Sequence, residues 1–263
     1  MEAERKAPEG QRTVASVSRA LSIIELMAER ESQEMSVSEV ARELRIGRST
    51  AHQLLRTLTA HGFVEQCEDS PRYRLGTTLM RTGAVAAVGR GLGPNVTFVL
   101  EDIVREVGET ASIGIMAMRE IVLLHRVEAH SVLRVDLRVG TRLPLLSSAI
   151  GQVILGAYPE ATCDEIIREI ELDTAGKQVA RKKIEAARRQ GYAIVRDTPV
   201  AGINAIAAAI KTPKLQPIAG LVVAGPSSRF EPERCSAMVV EKARALSELV
   251  DFKGTHNRVY GRG

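Results

Sequence analysis

Cysteine is scarce in this chain of 263 residues: Cys67, Cys163 and Cys235 lie far apart with no paired spacing. That excludes a disulfide framework and a cysteine zinc site, and it fits a reducing compartment. Long apolar runs are lacking as well, and spanning a bilayer takes roughly 20 such residues. The opening MEAERKAPEGQRT carries charge, proline and glycine but no apolar core, so a secretory leader is not expected there. The expected location is the cytoplasm. His125, His130 and His256 show no metal-ligand spacing, and neither a Gly-x-Ser-x-Gly elbow nor a phosphate loop occurs. Ser147 and Ser148 sit among small residues, but no base lies near them in sequence. An enzyme is therefore not expected, and no metal or cofactor is implied.

What is present is ordinary in amount. Hydrophobic residues make up 44% and charged residues 26%, as in a globular protein long enough for two domains. The net charge of +4 is too weak by itself to identify a nucleic-acid partner. Local arrangement is more informative.

Residues 1–12 read as a tail. Val17, Ala20, Leu21, Ile24, Leu26 and Met27 then recur at roughly helical spacing. Ser36 and Glu39 have capping-box spacing ahead of Val40, Ala41 and Leu44, which predicts a second helix. Arg45, Ile46 and Gly47 read as a turn in which glycine supplies the unusual backbone angle. A third helix follows over residues 48–61, with Ala51, Leu54, Leu55 and Leu58 as its buried stripe. Arg48, Ser49, Thr50, His52, Gln53 and Arg56 lie at its start and on its other side. Hydroxyls and amides at a helix start grip phosphate, while Gln, His and Arg reach base edges. Residues 63–66 and 73–75 read as two strands around a polar turn, with Arg72 and Arg74 adding positive charge to this wing. A winged helix used only for protein contacts is the plainer alternative, but the whole set together predicts double-stranded DNA.

SVSRALSIIELMAE, SVSEVARELRIGRSTAHQLLRTLTAHGFVEQ and RYRLGTTLMRTG resemble the DNA-binding half of the IclR family of bacterial transcriptional regulators. The resemblance extends over nearly the full length. It implies a homodimer or tetramer on a palindromic operator, with residues 77–93 as a linker helix that packs against its partner. That helix reads as interrupted by Gly83 and stopped at Gly89.

From Asn95 onward, helices and strands intermix without strict alternation. Strands are expected over 111–118, 121–127, 133–139, 192–195, 205–210 and 218–224. The helices expected are 147–157, 163–171, 179–190 and 233–250. The fold class is therefore α+β rather than Rossmann-like. The resemblance implies an N-terminal winged helix–turn–helix (13–76), the linker helix, and a C-terminal GAF-like six-stranded domain (94–263) that holds a small effector.

In the family the stretch 139–159 closes over the effector. It supplies Arg142, Leu145, Leu146, Ser147, Ser148, Ala149, Ile150 and Gly151 as candidates, with small residues that allow a ligand near backbone amides. The same small residues also suit close helix–sheet packing. Relatives that sense glyoxylate or pyruvate line the pocket with an acid, a cysteine and two serines; the matching positions here are Val195, Ala205, Val222 and Ala224, beside Ile203. A tiny keto acid would leave its oxygens poorly paired there. The expected pocket is roomier and drier, and GTRLP with the later VILG resembles regulators of protocatechuate and β-ketoadipate catabolism. The first expectation is a repressor of a catabolic operon that senses an aromatic carboxylate or similar flat catabolite, paired by Arg142, Arg134 or Arg138. A short keto acid, or action through protein contacts, stays open as an alternative.

Overall fold

The computed structural model describes residues 13–30, 34–89, 95–129, 137–212, 214 and 216–259. The chain forms two compact units that divide between Ala86 and Ala87.

The first unit runs α1 (Ala15–Glu29), β1 (Glu34–Ser36), α2 (Val37–Glu43), α3 (Arg48–Ala60), β2 (Val64–Gln66), β3 (Arg72–Leu75) and α4 (Thr77–Gly89). Ile23 and Met27 of α1 join Met35, Val40, Ala51, Leu55, Leu58, Val64 and Tyr73 in one core. Val17 and Leu21, expected on the buried stripe, are exposed, because they lie off the face set by Ile23 and Met27. The capping box at α2 forms as expected: Glu39 N donates to Ser36 Oγ at 3.3 Å, and Ser36 N donates to Glu39 Oε2 at 2.8 Å. The turn differs in detail. Arg45 takes the left-handed angle (φ 51°), while Gly47 is extended (φ −62°, ψ 143°) as the residue capping α3. The chain must reverse immediately after Leu44, two residues before the glycine is reached.

The short strands pair antiparallel in the order β1-β3-β2. Arg72 of the central strand reaches Glu39 at 2.9 Å and the Glu34 carbonyl at 3.2 Å. Wing and α2 are thereby joined by one guanidinium. α4 runs through Gly83 without the expected interruption, since one helix-interior glycine costs only about 1 kcal/mol.

The second unit contains α5 (Asn95–Val107), β4 (Thr110–Ala117), β5 (Glu120–Val127), β6 (Arg142–Pro144), α6 (Ala149–Ala157), α7 (Glu160–Glu169), α8 (Thr174–Gln190), β7 (Tyr192–Arg196), β8 (Ile203–Lys211), β9 (Pro217–Pro226) and α9 (Ser236–Val259). The strands form one six-stranded antiparallel sheet in the order β6-β5-β4-β9-β8-β7. One face packs residues of α6, α7 and α8; the other packs α5 and α9. The strand expected over 133–139 is not seen: 131–136 lie outside the described residues, and 137–139 are not strand. Gly140 turns at φ 89°, and β6 pairs with β5 only from Arg142 onward.

Glu39 is held at about 2, first by the Ser36 backbone amide, then by the Ser36 hydroxyl and Arg72. A depressed carboxylate stabilises the fold above its ordinary value of 4.5 and loses that contribution as pH falls toward 2. Glu39→Gln is expected to remove about 1–2 kcal/mol at pH 7 and to flatten the acid limb of a melting-temperature profile between those values.

Candidate functional site: an exposed basic helix and a small apolar cavity

On α3 the side chains divide cleanly. Ala51, Leu55 and Leu58 are buried, while Arg48, Ser49, His52, Gln53 and Arg56 are exposed and Thr50 is half-buried. Positions 48, 49, 52, 53 and 56 share one helical face. No side chain caps the helix start, so its first amides point outward beside two hydroxyls. The geometry suits phosphate and base edges. Arg45, exposed at the turn, extends the same basic region; in sequence it is hidden, because the turn is assigned to the glycine. On the wing, Arg74 is exposed and stands 3.6 Å from Glu65, whereas Arg72 is half-buried and engaged with Glu39.

In the second unit a cavity of about 40 Å³ lies between the sheet and the start of α6. Val195, Ile203, Ala205, Val222 and Ala224 form its sheet wall, and Ser148, Ala149 and Ile150 its helix wall. The register explains the wall: Val195 pairs with Ala205, and Ala205 with Ala224. Thr110, Ser112, Leu123, Leu137, Leu143 and the 198–200 segment complete the lining. These were missed in sequence. Thr110 and Ser112, alternate polar residues on a buried strand, were the available signal.

Several expected effector contacts fall elsewhere. Arg142 faces outward and pairs with Glu120 at 3.0 Å. Arg138 is exposed and does not line the cavity; Arg134 lies outside the described residues. Leu145 and Leu146 belong to the packed core, and Ser147 is half-buried off the lining. Gly151 serves packing: a methyl there would come 1.8 Å from the Leu145 carbonyl oxygen, and its amide donates to Ser148 Oγ at 3.2 Å. The lining is largely apolar, but the cavity is not roomy. At 40 Å³ it holds a few waters rather than an aromatic ring. Branched Val195 and Val222 fill part of the space, and Leu137 and Leu143 lie across its side.

The family model for the IclR helix–turn–helix domain matches residues 16–68, and that for the bacterial transcriptional regulator IclR C-terminal domain matches 89–252. The chain belongs to the IclR family. It is 30% identical over 243 residues to the HTH-type transcriptional regulator BhcR of Paracoccus denitrificans, covering 89% of this chain and 86% of that protein. Its fold is similar to the IclR transcriptional regulator of Alicyclobacillus acidocaldarius (TM-score 0.77, 22% identity, covering 91% of this chain and 100% of that one). It is also similar to an IclR homologue of Microbacterium hydrocarbonoxydans crystallised with 4-hydroxybenzoate (TM-score 0.75, 21% identity, 89% and 98% covered). The chain is an IclR-type transcriptional regulator and not an enzyme. Among the described residues no cluster of His, Cys, Asp or Glu could hold a metal, and no helix is long and apolar enough to cross a membrane.

Because Gly151 meets backbone rather than a movable side chain, Gly151→Ala is expected to destabilise the second unit by about 3 kcal/mol, read as a lower urea midpoint. A midpoint within error of the parent would contradict the packing role.

Proposed function

We propose that this regulator represses a catabolic operon in the cytoplasm, binding a palindromic operator as a homodimer through α3 and the wing. The observation that carries the reading is the exposed polar face of α3, with Arg48, Ser49, His52, Gln53 and Arg56, beside the half-buried Thr50 at its side-chain-uncapped start. Arg74 joins it from the wing, and Arg72 supports the wing from within. α4 carries exposed Met80 and Val85, which suits a helix covered by its counterpart in a dimer.

The cavity above α6 is proposed as the effector pocket, and the effector as an aromatic acid or similarly flat catabolite. Its walls are apolar apart from the hydroxyls of Thr110, Ser112, Ser148 and Thr198, so a small, strongly hydrated keto acid is poorly matched. Its volume of about 40 Å³ is too small for an aromatic ring, so binding requires the Leu137–Leu143 side or the 198–200 segment to move outward. The effector then acts by its differential affinity for open and closed forms.

Anisotropy titrations with DNA from upstream of the protein's own gene test the output. Arg56→Ala is expected to cost about 1–3 kcal/mol and to weaken the salt dependence, with Arg142→Ala unchanged. Equal affinity for Arg56→Ala and the parent would overturn the α3 assignment. For the input, thermal stabilisation by benzoate or 4-hydroxybenzoate, with none from pyruvate or glyoxylate, is expected; the reverse pattern sinks the effector reading.

A further inference from the structure

The hydroxyls of the cavity are unevenly placed, and the sheet register explains how. Thr110 of β4 pairs with Ala224 of β9, Ala224 with Ala205 of β8, and Ala205 with Val195 of β7. Directly opposed residues project from the same face of a sheet. These four therefore form one row across the cavity wall, about 14 Å long at three strand spacings. Ser112, two residues beyond Thr110, lies on the same face and pairs with Val222. All six line the cavity. The β4 end of the wall thus carries oxygen, and the wall from β9 to β7 carries aliphatic groups alone. Ser148 adds a third hydroxyl from the helix wall, where Ile150 of α6 reaches Gly114 of β4. Thr198, half-buried on the loop after β7, is the other hydroxyl of the lining.

Thr110, Ser112 and Ser148 are 3%, 5% and 2% exposed. Thr110 Oγ1 accepts from Ala129 N at 3.2 Å, and Ser148 Oγ accepts from Gly151 N at 3.2 Å. What each still has to offer is its proton. Ser112 carries the inference furthest. Among the described residues its hydroxyl makes no hydrogen bond, and its oxygen is not sealed within the protein. The surface it keeps faces the cavity. A buried hydroxyl left without a partner is costly, and an acceptor entering the cavity relieves that cost.

We propose that the Ser112 hydroxyl, with those of Thr110 and Ser148, binds the carboxylate of the effector, and that the ligand lies with its apolar body toward β7. This assignment rests on the effector reading above and adds how that site orients its ligand. The lining holds no charged side chain among the described residues, so a carboxylate there depends on hydrogen bonds for its stability. Two oxygens with several lone pairs match three O–H donors, and the negative charge strengthens each bond. The ring then rests on Val222, Ala224 and Ala205, and a substituent opposite the carboxylate points at Val195. The reverse pose leaves the oxygens among methyl groups and the β4 hydroxyls unpaired.

Calorimetric titration of the full chain with benzoate, toluene and 4-ethylbenzoate tests this. Ser112→Ala is expected to weaken benzoate about tenfold, the worth of a hydrogen bond to a charged group. Toluene, with a methyl in place of the carboxylate, should change by less than about twofold. Ser112→Thr keeps the hydroxyl and should keep most of the benzoate affinity. Val195→Ala, at the apolar end, should favour 4-ethylbenzoate over benzoate by about threefold relative to the wild type. Unchanged benzoate affinity in Ser112→Ala, or equal losses for benzoate and toluene, overturns the role of Ser112 while leaving an apolar effector pocket intact. Absence of the selective gain in Val195→Ala overturns the orientation. Failure of all three compounds to bind the wild type overturns both this assignment and the effector reading.

Discussion

The second unit is organised around the seating of α6 on its sheet. Gly114 of β4 and Gly220 of β9 pair across the ladder, and Ile150 presses onto both. A methyl at Gly114 would come 2.9 Å from Ile150 Cδ1, and one at Gly220 would come 2.7 Å from Ile150 Cγ2. The following residue, Gly151, lies against the Leu145 backbone. Small residues on both partners let helix and sheet approach until dispersion attraction is continuous. This close approach fixes where Ser148, Ala149 and Ile150 meet the strands, and so fixes the floor of the cavity. The valines opposite then set how little space remains.

Such packing makes α6 the most firmly held wall of the cavity, and the sides are held by fewer contacts. α6 is buried along nearly its whole length, and Gln152 is tied to the Leu146 carbonyl at 3.3 Å. By contrast, β6 is a three-residue edge strand joined to β5 alone. The 198–200 segment is loop, held at its base by Gly202 N donating to Asp197 Oδ1 at 2.9 Å. Under the proposed effector reading, a ligand larger than about 40 Å³ gains its space at these sides. The low-stability elements of a fold are where such movement is expected.

Much of this was legible in the residues because it depends on short-range rules. The Ser36–Glu39 spacing determines a cap, and the spacing of Ala51, Leu55 and Leu58 determines which face of α3 is free. Val195, Ala205, Val222 and Ala224 meet as the family resemblance implied. What sequence did not disclose depends on pairing between distant segments. Arg72 looked like a wing cation, but β3 lies centrally and places it beside Glu39. Arg142 looked like an acid-binding residue, but its register on β5 sets it opposite Val122 and near Glu120. Cavity size was misread for a similar reason: apolar substitution predicts dryness, while volume depends on how closely α6 approaches the sheet.

Under the proposed function, occupancy of the cavity above α6 governs binding of DNA by the other unit. Ala205 lines the cavity and pairs with both Val195 and Ala224, so Ala205→Leu fills the space without touching α3. Anisotropy of operator DNA, measured with and without saturating 4-hydroxybenzoate, gives the most direct test. The wild type is expected to release DNA when the ligand is added, whereas Ala205→Leu binds DNA as tightly as the wild type and ignores the ligand. Release of DNA by Ala205→Leu at the wild-type ligand concentration would contradict the claim.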